Sequence, residues 1–161
     1  MNIIIAIVIL TAYIVTVCIA NKEIPSSLSA SVFFLPKQGV WIWSVVIAAV
    51  VFLIAPTYIG KTPDSVRALA FLACAGLLFV GAAPLVRDKS DLAYKVHIGG
   101  AIMCAVCSQV LLAVTEVWLL LSWVPWIIAF VWITSSTRWR TSVFWAEMTC
   151  FADTFIFLFI C

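Results

Sequence analysis

The chain predicts an all-α, polytopic transmembrane helix bundle with six spans. Two observations carry this. Of 161 residues, 66% are hydrophobic and only 10% are charged. The charges also cluster between apolar runs that are individually long enough, at about 18 residues or more, to cross a bilayer as helices. The whole chain reads as one transmembrane domain, because no stretch outside the runs is long enough to bury a core of its own.

The first span is placed at residues 3–20. No Lys or Arg precedes it, so it lacks the basic leading region of a signal peptide and reads as a retained span. A polar stretch to Gly39 follows, and its SSLSASVFF portion mixes Ser with large apolar residues, which predicts a short amphipathic piece lying in the interface. The second span, 40–58, is closed by Gly60, Lys61, Pro63 and Asp64. The third is 66–86, with the charged loop Arg87 to Asp91 after it. The fourth is 94–113 and the fifth 117–134, separated only by Thr115 and Glu116. From Val96 to Ile133 there are 38 residues. At the helical rise these would extend about 57 Å, too long for one straight crossing of a hydrocarbon core about 30 Å thick. The chain must turn, and Glu116 marks the polar place to do so; the alternative is five spans with a bent or re-entrant fourth. Pro125 inside the fifth span predicts a kink flanked by Trp123 and Trp126. The sixth span is 141–160.

Basic residues set the orientation. Loops one, three and five carry Lys22, Lys37, Arg87, Lys89, Lys95, Arg138 and Arg140, against Lys61 and Arg67 on the other face. The positive-inside rule then puts the seven on the cytoplasmic side and both termini on the non-cytoplasmic side, most simply in a bacterial inner membrane. Trp41, Trp43 and Trp139 fall at the cytoplasmic boundary as expected interfacial anchors. Glu116 falls at the opposite boundary, where it is expected to be exposed and within reach of Lys61 or Arg67.

The net charge of +2, with scattered basic residues, excludes a nucleic-acid partner. Membrane lipids are the expected partners, with a homo-oligomer or a membrane-protein partner as further candidates. Cys18, Cys74, Cys104, Cys107, Cys150 and Cys161 all lie in apolar runs and read as soft packing residues rather than disulfides. One histidine without a paired ligand motif gives no organised metal site, and no cofactor is implied.

Ionisable residues inside spans are expensive and mark candidate sites. His97, Glu147 and Asp153 qualify. Ser142, Ser108 and Tyr13 fall at depths that complete a polar intramembrane cluster with them, since Glu147 and Asp153 lie about 10 and 18 Å in from the boundary at the helical rise. Small residues at three- and four-residue spacing on spans three, four and six predict that these helices meet. His97 is expected to face the bundle within direct or one-water reach of Glu147, or else of Ser142. Such a cluster glues helices together in the simplest reading. A proton- or ion-coupled transporter using Glu147, Asp153 and His97, or an intramembrane hydrolase with a Ser, His and acid, are the alternatives.

The segment Leu77 to Ala101, LLFVGAAPLVRDKSDLAYKVHIGGA, ends one span on Gly81 and Pro84, passes a charged loop and opens the next span on His97. Together with IPSSLSAS after the first span, it resembles six-helix bacterial integral membrane proteins distantly related to the DRAM-type autophagy modulators. The resemblance implies six helices and an integral membrane location, but no settled activity. The acids of the sixth span are not part of the match. The several metal-binding histidines of ceramidase-type membrane hydrolases are absent.

Overall fold

The computed structural model describes residues 1–36, 39–82, 91–133 and 141–161, and their regular structure is entirely helical. The α-helices are α1 (Asn2–Asn21), α2 (Trp41–Lys61), α3 (Arg67–Val80), α4 (Asp91–Thr115), α5 (Trp123–Ile133) and α6 (Ser142–Ile160). Short 3₁₀ segments cover Ser29–Phe34, Asp64–Val66 and Val117–Ser122. Four stretches are long and apolar enough to cross a membrane: α1, α2, residues 94–115 of α4, and α6. This is the architecture of an integral membrane protein, in which each apolar segment satisfies its own backbone groups by coiling.

The helix ends have local causes. α1 stops at Lys22, whose φ of 54° is left-handed. α2 stops at Thr62, which is extended at φ −77° and ψ 131° because Pro63 follows and disfavours the helical region for its predecessor. α4 stops at Thr115. Glu116, at φ −142° and ψ 61°, leaves the helical region and turns the chain into the 3₁₀ segment. The expected kink at Pro125 does not occur. α5 begins at Trp123, so Pro125 sits in its first turn, where a missing N–H leaves nothing unpaired. Among the described residues, the proline deep inside a helix is Pro56 of α2.

The closest helix pair is α3 with α4. A Cβ on Gly76 would lie 2.6 Å from both the Cys104 nitrogen and the Gly100 carbonyl oxygen, so the two backbones touch there. α2 is tied to the end of α3, where the Trp43 indole donates to the Val80 carbonyl at 3.1 Å and the Ser44 hydroxyl to the Gly81 carbonyl at 2.7 Å. Trp43 is therefore not an interfacial anchor. It is fully buried, with its ring centroid 5.5 Å from that of Tyr13 on α1. Trp41, two residues earlier, is exposed; Trp139, like Lys37, Arg87, Lys89, Arg138 and Arg140, lies outside the described residues. At the far end α6 docks on α2. Phe157 meets Tyr58 edge-on at 5.9 Å, and Lys61 Nζ donates to the Leu158 carbonyl at 2.9 Å. That bond occupies a carbonyl the last turn of α6 leaves free.

The same end corrects the expected pairing of Glu116. Arg67 pairs with Asp64 instead. Glu116 is half-buried and accepts from the Trp118 indole at 2.8 Å and the Cys161 thiol at 3.4 Å.

Candidate functional site

The site is organised by the first loop, which is amphipathic as its composition suggests: Leu28 and Val32 are buried and Phe33 is exposed. Residues 26–34 fold back into the bundle, burying Leu28, Ser31 and Val32. A loop folded into a bundle is tolerated only where protein satisfies its backbone and polar groups, and helices on three sides do so here. Tyr13 of α1 shares a hydrogen bond of 2.8 Å with the Ser31 hydroxyl. On α4, His97 Nε2 lies 3.0 Å from the Ser29 hydroxyl. The Glu147 carboxylate on α6 accepts the Leu28 N–H at 2.5 Å, and one turn earlier the Phe144 N–H donates to the Ser26 carbonyl at 3.1 Å. Within the loop, Ser27 accepts the Ala30 N–H at 3.0 Å and so starts the 3₁₀ turn.

His97 does face the bundle, at 7% exposure. Its described side-chain partner is Ser29, however, rather than the expected Glu147 or Ser142. Histidine and acid instead grip adjacent loop residues, Ser29 and Leu28. The reason is supply and demand: the loop brings a backbone N–H and a hydroxyl into the depth where both side chains need partners. Ser29 and His97 are spaced as a nucleophile and base would be, yet no carboxylate among the described residues reaches the other ring nitrogen of His97.

The remaining expected members sit elsewhere. Asp153 is fully buried about 9 Å further along α6 than Glu147, from the helical rise. It accepts the Ser122 hydroxyl at 2.9 Å, which pins the Glu116–Ser122 turn against α6. Ser108 donates locally to the Ala105 carbonyl at 3.0 Å. Ser142 accepts the Trp126 indole on its carbonyl at 3.4 Å, joining α5 to the start of α6. The polar residues thus form separate staples rather than one ladder. Sequence reasoning passed over Ser26, Ser29, Ser31 and Ser122. For Ser26, Ser29 and Ser31 the signal was a run of hydroxyls beside large apolar residues, a mixture that buries well once partners are supplied; Ser122 stands alone in an apolar run and left no such signal.

Two cavities adjoin this site. One, about 60 Å³, lies under the loop between Leu28, Trp43 and Glu147. The other, about 40 Å³, reaches Tyr58 and Ser108. The six cysteines are free thiols, and among the described residues no group of three or more His, Cys, Asp and Glu side chains is arranged to hold a metal ion.

Tyr13→Phe tests the staple reading directly. It keeps the ring packed on Trp43 and deletes only the bond to Ser31. A loss of about 1 kcal/mol is expected, within the range for hydrogen bonds between helices in membranes, read as a lower unfolding midpoint in a detergent titration. An unchanged midpoint would show that the bond carries nothing. Comparison with family models, with curated proteins and with solved structures finds no match to this chain.

Proposed function

We propose that this protein is a six-span integral membrane scaffold or regulator that acts through contacts with lipid or a membrane partner, without turnover chemistry. The observation that supports this reading is the dispersal of the polar cluster. Tyr13, His97 and Glu147 are each spent on the first loop, and Asp153 on Ser122. A relay needs groups in sequence, and a hydrolase needs a nucleophile, base and acid converging on one point. In the six-span arrangement the shorter helices α3 and α5 serve as the third and fifth spans. Both termini then lie on the non-cytoplasmic face of a bacterial inner membrane, with the first loop on the cytoplasmic side. Broad exposed apolar surfaces, among them Phe52 on α2 and Ile128 on α5, suit lipid or a partner helix.

Proteoliposomes under an imposed proton gradient test the activity part. Wild-type protein and Asp153→Asn are expected to show the same flux as empty vesicles, and a flux abolished by Asp153→Asn would overturn the reading in favour of transport. Topology is tested by impermeant maleimide labelling of single cysteines added at either terminus of a cysteine-free variant. Both are expected to label from the non-cytoplasmic side; protection of either rejects the six-span arrangement.

The Ser29–His97 pair favours one second reading, an intramembrane serine hydrolase. An alkyl fluorophosphonate that labels wild-type protein but not Ser29→Ala would establish it.

A further inference from the structure

The two cavities are parts of one slot. Both are lined by Leu77, Cys104, Cys150 and Phe151, so they meet side by side. On α2 the slot runs from Trp43 to Tyr58, about 22 Å at the helical rise. That is most of a hydrocarbon core about 30 Å thick. Its walls are α4 and α6, and its floor is α2 and α3. Cys104, Ala105, Cys150 and Phe151 are only half-buried, so the α4–α6 side is not sealed from the surroundings of the bundle.

The ends of the slot differ in kind. At the loop end stands the Glu147 carboxylate, already accepting the Leu28 N–H. At the other end stands Tyr58, 1% exposed, whose hydroxyl has no hydrogen-bond partner among the described residues. A buried hydroxyl without a partner is disfavoured and calls for an acceptor. Ser108 lines the same end. Each cavity exceeds the roughly 10–15 Å³ that one water needs, but water also needs two to four polar partners. Apolar residues such as Leu77 and Phe151 do not supply them along the shared length.

We propose that the slot binds a single fatty acyl chain, with its carboxyl or ester oxygen accepting from Tyr58 and its tail running between α4 and α6 toward Leu28. The polarity of the ends fixes this direction. An acyl oxygen is an acceptor, welcome at a free phenol and repelled by a carboxylate. Lys61, one helical turn beyond Tyr58, stands on the side where an anionic head would emerge. The half-open wall lets a chain lie partly in the slot and partly against surrounding lipid, so the slot need not enclose it. The assignment rests on the reading of a lipid-contacting bundle and deepens it.

The test uses full-length protein in vesicles of phosphatidylethanolamine and phosphatidylglycerol. One arm carries a trace of free fatty acid with a mid-chain diazirine, and the other a phosphatidylcholine with the same chain. After irradiation, adducts are mapped by peptide mass spectrometry. Adducts on Leu77, Cys104, Cys150 or Phe151 are expected at several times the yield on Val106, which is exposed on the outer face of α4. The arm that gives them identifies whether the chain is free or esterified. Ala105→Trp, which fills the wall, should abolish the slot adducts, and Tyr58→Phe should reduce them at least fivefold. Both should leave Val106 adducts unchanged. Should Ala105→Trp fail to fold, Tyr58→Phe decides alone, since it removes only an unpartnered oxygen. Slot adducts no more frequent than those on Val106, or indifferent to Tyr58→Phe, overturn the site. Such a result leaves the Val106 adducts in place, so it is distinct from a failure of the lipid-contact reading, in which proton flux or serine labelling appears instead.

Discussion

Gly76→Ala is expected to be among the most damaging single-methyl substitutions in the chain. The new Cβ would stand 2.6 Å from the Cys104 nitrogen and the Gly100 carbonyl oxygen, both backbone atoms that cannot rotate away. α3 and α4 would have to separate by most of an ångström along their closest crossing. Overpacking of this kind typically costs about 1–3 kcal/mol. In lipid the cost is not offset by a hydrophobic drive to reassociate, because acyl chains are as apolar as the helix faces. Gly99→Ala is the control, since nothing lies within 4 Å of its Cβ. It should be neutral or slightly stabilising, as Ala is the better helix former. Unfolding midpoints in a denaturing-detergent titration compare the two. Equal midpoints would mean that α3 and α4 do not touch at Gly76.

How much of this was legible in the sequence follows from what each signal encodes. Helix formation was legible because apolar runs in lipid leave the backbone few other choices. The turn at Glu116 was legible because it is the only Asp, Glu, Lys or Arg between Lys95 and Arg138. The α3–α4 contact was legible in kind but not in residue. Small residues at three- and four-residue spacing predicted that the helices meet, while the crossing uses Gly76 against Gly100, and a stripe of small residues does not say which of its neighbours the partner selects. His97 and Glu147 were recognised as buried groups needing partners. Their partners were not, because a backbone N–H at Leu28 has no mark in the sequence and Ser29 looked like loop. Trp43 misled for a related reason: position near a boundary predicts an anchor, but the Val80 carbonyl left free at the end of α3 supplied a buried acceptor for its indole.

Glu147 is where these threads meet, and Glu147→Leu is the second substitution with a large expected effect. Two terms oppose each other. Removing a buried carboxylate relieves its desolvation, which favours the variant. Removing the acceptor leaves the Leu28 N–H unsatisfied beneath the bundle surface, at about 1–3 kcal/mol. The first term acts on the bundle as a whole and the second on the loop, so global stability is a poor readout and local opening a good one. The loop's other ties, Tyr13 to Ser31 and His97 to Ser29, hold its later residues, whereas Glu147 and the Phe144 N–H hold its entry. Loss of this bond therefore frees Leu28 first. Leu28, 2% exposed in the intact protein, reports on that opening. In a cysteine-free background, Leu28→Cys is expected to resist a small maleimide when Glu147 is present and to label readily with Glu147→Leu. Glu147→Gln, which keeps an acceptor oxygen, should fall between them. Equal protection of Leu28→Cys in all three would show that Glu147 does not hold the loop, and the polar staples would lose their central member.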